Sequence, residues 1–119
     1  MVDDEASVRT ALRRLLRLAD YEVAVFGSGE EFLASLATQR PDCAILDVHM
    51  PGVSGFDVRA QLRATHVDVP VVFITASDDI ALDRAAFDAG GTLLRKPFSN
   101  DALLDAVGAA LRSKSCRSS

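Results

Sequence analysis

Residues 43–55 read CAILDVHMPGVSG, and this stretch decides the fold class of the chain. Its first part, Cys43 to Leu46, is a short apolar run that predicts a buried β-strand. An acidic residue, Asp47, follows the strand. A loop comes next, because Pro51 fixes its own φ angle and the neighbouring glycines permit positive φ. The stretch therefore predicts a buried strand whose carboxyl end carries a carboxylate.

The rest of the chain alternates between short apolar segments and segments in which apolar residues recur at helical spacing. The predicted strands are Cys43–Leu46, Tyr21–Phe26, Val69–Ile74, Thr92–Arg95 and, at the start of the chain, Met1 with Val2. The predicted helices are residues 5–19, a helix begun by a capping box of Ser28 and Glu31, a helix from Phe56, Asp78–Ala89 with Gly90 and Gly91 as its stop, and a helix capped by Ser99 or Asn100 that reaches about Leu111. Strands that alternate with helices over so short a chain indicate an α/β fold, with a doubly wound parallel sheet and helices on both faces.

Five polar residues follow the predicted strands directly. Asp3 and Asp4 come after the first strand, Asp47 after the third, Thr75 after the fourth and Lys96 after the fifth. In open α/β sheets the functional residues gather beyond the carboxyl ends of the strands. We therefore expect these five side chains to lie at one edge of the sheet and to form the site.

Three carboxylates at one edge would repel one another. A pair about 4 Å apart costs on the order of 4 kcal/mol at an effective dielectric constant near 20, so a cation has to neutralise the cluster. An all-oxygen set of ligands favours a hard ion, and an open site that keeps several waters favours Mg²⁺ over Ca²⁺. The acidic residues therefore predict a magnesium site.

The expected site also suits phosphoryl chemistry. Asp47 is the best candidate for the nucleophile, because a carboxylate forms an acyl phosphate without a general base. Lys96 places a point charge near phosphoryl oxygens, and Thr75 offers a hydroxyl that can donate to such an oxygen. The Lys96-Pro97 bond is a candidate for the cis form, which would turn the lysine back towards the site.

Taken in order and at these spacings, the motifs resemble those of the receiver domains of two-component response regulators. The resemblance covers Val2 to about Leu111. The residues that carry it are Val2-Asp3-Asp4-Glu5, Leu46-Asp47-Val48-His49-Met50-Pro51-Gly52, Gly55, Ile74-Thr75-Ala76 and Lys96-Pro97-Phe98. It implies the fold of the chemotaxis regulators, a flavodoxin-like sheet of five parallel strands in the order 2-1-3-4-5. The run from Arg95 to Phe98 and the run from Asp47 to Gly52 are similar to regulators of transcription that carry a helix-turn-helix output domain.

The resemblance also implies roles for the site residues. Four groups hold Mg²⁺, namely the carboxylates of Asp3, Asp4 and Asp47 and the backbone carbonyl of His49. Asp47 accepts a phosphoryl group from the phosphohistidine of a sensor histidine kinase or from a small acyl phosphate. Lys96 contacts the phosphoryl group and Thr75 is the switch hydroxyl. The change in shape controls an output domain or a downstream protein, with a homodimer as a possible form of the response.

The chain departs from this resemblance at two places. Leu93 stands where the family usually has a tyrosine or phenylalanine that moves inward when the threonine engages phosphate. We expect Leu93 to take this second switch position, with a smaller change at the surface. Only Met1 and Val2 precede the acidic pair, where the family has a strand of about five residues. For this truncated first strand we expect a start upstream of Met1 first, and a swapped or paired dimer second.

Length and composition bound the remaining expectations. The 119 residues suggest one domain, residues 1–112, followed by a linker or disordered tail at 113–119. Apolar residues make up 49% and charged residues 25%, which is ordinary for a globular domain. No apolar run approaches the roughly 20 residues that span a bilayer, so we expect a cytoplasmic protein without membrane contact. The net charge of −4 argues against direct binding of nucleic acid.

Three functions compete on this sequence. The first is a phosphorylation-gated switch that catalyses only its own phosphorylation and dephosphorylation and is otherwise no enzyme. The second is a receiver-like module that binds a partner without being phosphorylated. The third is an aspartyl-phosphate phosphatase, but such enzymes need a second aspartate two residues after the nucleophile, and this chain has His49 there. The full set of edge residues favours the switch.

Overall fold

The computed structural model describes residues 1–2, 6–21, 24–38, 41–49, 52–65, 69–96 and 98–118, with side chains up to residue 112. Its elements are α1 (Ala6–Leu18), α2 (Gly29–Ser35), β1 (Ala44–Asp47), α3 (Gly55–Ala64), β2 (Val71–Thr75), α4 (Ala81–Asp88), β3 (Thr92–Arg95) and α5 (Asn100–Ser118). The predictions for Asp3, Asp4 and Pro97 lie outside the described residues. None of the described helices is both long enough and apolar enough to cross a membrane.

The three strands form a parallel sheet in the order β1-β2-β3. Val2 makes isolated parallel bridges to Phe26 on one side and to Leu46 on the other. The N–H of Val2 donates to the carbonyl of Ile45 at 2.8 Å, and the N–H of Phe26 donates to the carbonyl of Met1 at 3.0 Å. The five predicted strands therefore lie in the predicted order 2-1-3-4-5, in which strand 1 is at Val2, strand 2 is at Phe26, and strands 3, 4 and 5 are β1, β2 and β3. Within the described ranges, however, the first two of the five predicted strands are present only as the isolated bridges of Val2 and Phe26.

Both faces of the sheet are covered, as a doubly wound fold requires. Strand side chains point alternately to the two faces, so Phe73 and Leu46 belong to one core cluster while Val72, Ile74 and Ile45 belong to the other. The first cluster is completed by α2, α3 and α4 through Phe32, Val58, Leu62 and Ala86, and the second by α1 and α5 through Leu12, Leu16, Leu103 and Val107. Every residue of β1 and β2 is buried, which explains why these strands are continuous apolar runs.

The helix starts differ in detail from the prediction. Ser28 caps α2, and its Oγ accepts the N–H of Glu31 at 3.2 Å, but the Glu31 carboxylate accepts from Gly27 instead of completing the capping box. A complete box occurs at α3, where Ser54 and Asp57 bond each other reciprocally. This capping box was not predicted because Asp57 takes the place of the usual glutamate or glutamine at the third residue of the helix.

The start of α4 and the end of α5 also differ from the prediction, whereas the end of α4 agrees with it. α4 begins at Ala81 instead of Asp78, because residues 77–79 form local turns in which Ser77 and Asp79 side chains accept backbone N–H groups. The predicted stop is confirmed by Gly90, whose φ of +75° few other residues adopt. α5 continues to Ser118, past its expected end at about Leu111, so residues 113–118 are helical instead of an irregular tail. Their use as a linker stays a prediction.

Candidate functional site

Asp47 ends β1 and is almost completely buried, with 5% of its surface exposed. Its N–H donates to the carbonyl of Val2 at 2.9 Å, and its Oδ1 accepts the N–H of His49 at 3.1 Å. Gly55 at the start of α3 packs directly on its backbone, since a Cβ at that position would lie 2.6 Å from the Asp47 carbonyl oxygen. The strand, the loop and the first turn of α3 therefore hold this carboxylate in one place.

Lys96 brings a positive charge to the same carboxylate. The residue follows β3, and its N–H donates to the carbonyl of Thr75 at 2.7 Å. Its side chain is 20% exposed and places Nζ 3.6 Å from Oδ2 of Asp47. This distance is that of an ion pair and is longer than a direct hydrogen bond. A buried carboxylate is costly without a partner, so the ammonium offsets part of the cost of burying Asp47.

Thr75 ends β2 and is fully buried. Its Oγ1 accepts the N–H of Ser77 at 3.1 Å. This bond uses a lone pair of the oxygen and not its hydrogen, so the hydroxyl is still able to donate to another acceptor. Thr75 therefore joins the end of a central strand to the loop that leads into α4.

The structure brings Asp47, Thr75 and Lys96 together at the carboxyl edge, as predicted. Asp47 lies opposite Ile74 in the register of β1 and β2, so Thr75 is one residue further along the neighbouring strand. Asp3 and Asp4 lie outside the described residues, but the residue before them, Val2, is bonded through its carbonyl to the N–H of Asp47. The expected grouping at one edge is confirmed for three of its five members.

The comparisons with known proteins agree with this geometry. Residues 1–108 match the family model of the response regulator receiver domain. The chain belongs to this family. Nodulation protein W from Bradyrhizobium diazoefficiens is 40% identical over 111 residues, which are 92% of this chain and 49% of that protein. Response regulator MprA from Mycobacterium leprae is 42% identical over 112 residues, which are 93% of this chain and 49% of that protein. The solved receiver protein from Burkholderia phymatum is 46% identical with a TM-score of 0.82, over 92% of this chain and 90% of its own.

The chain is thus the receiver domain of a response regulator of a two-component system, and a receiver domain is a regulatory domain. The resemblance inferred from the sequence motifs is confirmed at the level of the family and of the fold. The chain spans about half the length of the curated relatives that it matches.

The donor atoms of the receiver site fit a hard cation. In the part of the chain that the structure describes, no three acidic, histidine or cysteine residues lie together as a metal site, and Asp3 and Asp4 are not in that part. Of the predicted ligands, the structure describes two residues, Asp47 with its carboxylate and His49 with its backbone carbonyl. Both are oxygen ligands, which Mg²⁺ prefers in proteins.

The second predicted switch position, Leu93, is half-buried in β3 and packs against the core cluster that contains Phe73. The sequence motifs predict no role in the site for Arg95, two residues after Leu93. Arg95 nevertheless makes four hydrogen bonds to the loop after Thr75 and to α4. Its acceptors are distant in the sequence, so no local pattern signals the contact.

Proposed function

We propose that this receiver domain accepts a phosphoryl group on Asp47 and passes the event on through Thr75. The observation that carries the proposal is the Lys96 ammonium, 3.6 Å from the carboxylate of Asp47, whose side chain is only 7% exposed. A carboxylate in such a place is useful as a phosphoacceptor because the adjacent cation can bind the added phosphoryl oxygens.

The proposed reaction transfers the phosphoryl group from a phosphohistidine of a histidine kinase. A P–O bond to Asp47 forms as the P–N bond of the donor breaks, and the ionised carboxylate needs no general base. The N–H of His49, which donates to Oδ1, holds the carboxylate during the transfer. Lys96 neutralises charge on the phosphoryl oxygens in the transition state and in the acyl phosphate.

We assign the cation site to Asp3, Asp4, Asp47 and the backbone carbonyl of His49. Bound Mg²⁺ would neutralise the phosphoryl charge together with Lys96. The support for this assignment is the all-oxygen donor set and the backbone bond from Asp47 to Val2, next to the acidic pair.

In the proposed switch, the Thr75 hydroxyl turns to a phosphoryl oxygen once one is present. Ser77 moves with it, because its N–H is bonded to the threonine oxygen. Leu93 repacks against the core as the loop shifts. The result is a bias in an existing equilibrium of conformations, and the receiver catalyses no reaction besides gaining and losing its own phosphoryl group.

The whole protein would then be a cytoplasmic response regulator. We propose residues 1–112 as the receiver and the end of α5 as the linker to an output domain, of helix-turn-helix type, that regulates transcription. The length of the curated relatives supports a second part of this size. The partners would be a sensor kinase and the output domain or a second copy of the protein, while this domain itself contacts neither membrane nor nucleic acid.

Incubation with Mg²⁺ and acetyl phosphate tests the proposal. We expect intact mass spectrometry to show the gain of one phosphoryl group, because a small acyl phosphate replaces the kinase as donor. Asp47→Asn should remove the adduct completely, whereas Asp105→Asn, at an exposed position of α5, should leave it unchanged. An unmodified wild-type protein would contradict the proposal and favour a receiver that only binds a partner.

A further inference from the structure

Arg95 connects the end of β3 to the start of α4. Its Nε donates to the carbonyl of Ser77 at 3.0 Å, and its Nη2 donates to the carbonyl of Asp79 at 2.8 Å. Nη1 and Nη2 also bond the two carboxylate oxygens of Asp83 at 2.9 and 3.1 Å. One guanidinium thus binds two loop carbonyls and one carboxylate, which a lysine ammonium cannot do in the same fixed geometry.

This contact lies directly beside the proposed switch hydroxyl. Arg95 is the register partner of Thr75 in the parallel pair of β2 and β3. Both residues bond Ser77, since the N–H of Ser77 donates to Thr75 Oγ1 and its carbonyl accepts from Arg95 Nε. A movement of the threonine that displaces Ser77 therefore changes the Arg95 contact as well.

Arg95 positions the first turn of α4 together with Asp79, whose Oδ1 accepts the N–H of Ala81 at 2.9 Å and whose carbonyl accepts from Arg95. The residue before the helix, Ile80, provides no side-chain cap. Asp83 lies in the first turn, where a carboxylate also interacts favourably with the helix dipole. The Arg95 side chain, through its hydrogen bond, lowers the pKa of Asp83, which agrees with a stable ionised pair.

The other end of α4 is held independently. The carbonyl of Ala89 accepts from Arg59 Nε and from Arg63 Nη2, both at 3.0 Å. Arg59 is buried and also bonds the carbonyl of Val69 at 2.8 Å. α4 is therefore bonded to α3 at its carboxyl end and, at its amino end, to Arg95 and the loop of residues 76–80, called here the switch loop.

We propose that Arg95 is a positioning residue that transmits the state of Thr75 to the first turn of α4. The inference rests on the proposed phosphorylation of Asp47. When Thr75 turns to the phosphoryl group and displaces Ser77, Arg95 can no longer keep its hydrogen bonds to Ser77, Asp79 and Asp83 at the same time. The amino end of α4 loosens while its carboxyl end stays in place on Arg59. Ile80 and Phe87, which are 82% and 77% exposed, then change their positions relative to each other and to the surrounding surface.

Amide hydrogen exchange measured by NMR tests this coupling, with beryllofluoride and Mg²⁺ as the phosphoryl mimic. The reporters are Leu82 and Asp83, whose N–H groups bond the carbonyls of Asp79 and Ile80, and Gly91, whose N–H bonds the carbonyl of Ala86. In the wild-type protein we expect the mimic to raise the exchange rates of Leu82 and Asp83 about five-fold and to leave Gly91 unchanged.

Arg95→Ala should give the fast rates of Leu82 and Asp83 without the mimic, and the mimic should add no further increase. Arg95→Lys, which keeps the charge without the planar fork, should restore only part of the response. The matched control is Arg84→Ala, because Arg84 pairs with Asp88 on the same helix but has no contact with the switch loop among its described bonds. It should respond as the wild type does.

The amide of His49, bonded to Asp47, separates the two proposals. If the mimic perturbs His49 in both proteins and Arg95→Ala keeps the full response at Leu82 and Asp83, the role of Arg95 is overturned and the proposed function stands. If the mimic leaves His49 unperturbed in the wild type, the phosphorylation of Asp47 fails and the coupling fails with it.

Discussion

Lys96 and Arg95 are neighbours in the chain, yet their two ion pairs are of opposite kinds. Arg95 is the last residue of β3 and Lys96 follows the strand, and their side chains diverge, so that Lys96 reaches Asp47 while Arg95 reaches Asp83. The Lys96–Asp47 pair is largely buried and 3.6 Å long, while the Arg95–Asp83 pair is half-exposed and 2.9 Å long. The inner pair is longer than a hydrogen bond, whereas the outer pair has hydrogen-bond geometry. The two pairs therefore distinguish the proposed phosphoacceptor site from the proposed positioning contact beside it.

Gly55→Ala should disturb the inner pair most strongly. The added Cβ would lie 2.6 Å from the Asp47 carbonyl oxygen, so the strand end or α3 has to move. We expect urea denaturation to show a loss of about 2–3 kcal/mol in the free energy of unfolding. Gly108→Ala is the matched control, because a Cβ there meets only the flexible end of Arg112, at 3.3 Å, and alanine favours a helix. Equal stability of the Gly55→Ala protein would contradict the close packing on Asp47.

Lys96→Met should have the next largest effect. Methionine keeps much of the side-chain volume but leaves the buried Asp47 carboxylate without the nearby ammonium. Because the lysine side chain is partly exposed, we expect the free energy of unfolding, measured in urea with EDTA, to fall by about 1–3 kcal/mol. Added Mg²⁺ should restore part of this loss if the proposed cation site is correct. A variant that is as stable as the wild type in EDTA would show that the ammonium does not offset the burial of Asp47.

Asp83→Asn should change stability least, since the outer pair is accessible to water and screened by salt. The folded-state pKa of Asp83 lies below its ordinary value because Arg95 donates to the ionised carboxylate. The contribution of the pair is therefore present above the ordinary carboxyl pKa and is lost as the pH falls through the lowered one. Thermal denaturation should show a small difference between the two proteins at neutral pH that disappears in acid. A difference that grows on acidification would contradict this sign.

Much of the fold could be predicted because its signals are local. The buried strands are apolar runs, and because side chains alternate along a strand, Phe73 and Val72 lie on opposite faces of the sheet. Glycine at position 90 marks the end of α4 through its positive φ. The start of α4 could not be predicted, since Ser77 and Asp79 have side chains that suit a helix start and a turn equally well.

The candidate site also has features that local sequence signals predict and features that depend on the packing of distant elements. The sequence by itself determined that Asp47, Thr75 and Lys96 share one edge, because parallel strands end on the same side and each residue follows its strand directly. Only the tertiary structure decided that Gly55 packs on the Asp47 backbone and that Arg95 holds the loop after Thr75. These contacts join residues from different elements, and their existence depends on distances that arise only when the strands and helices have packed together.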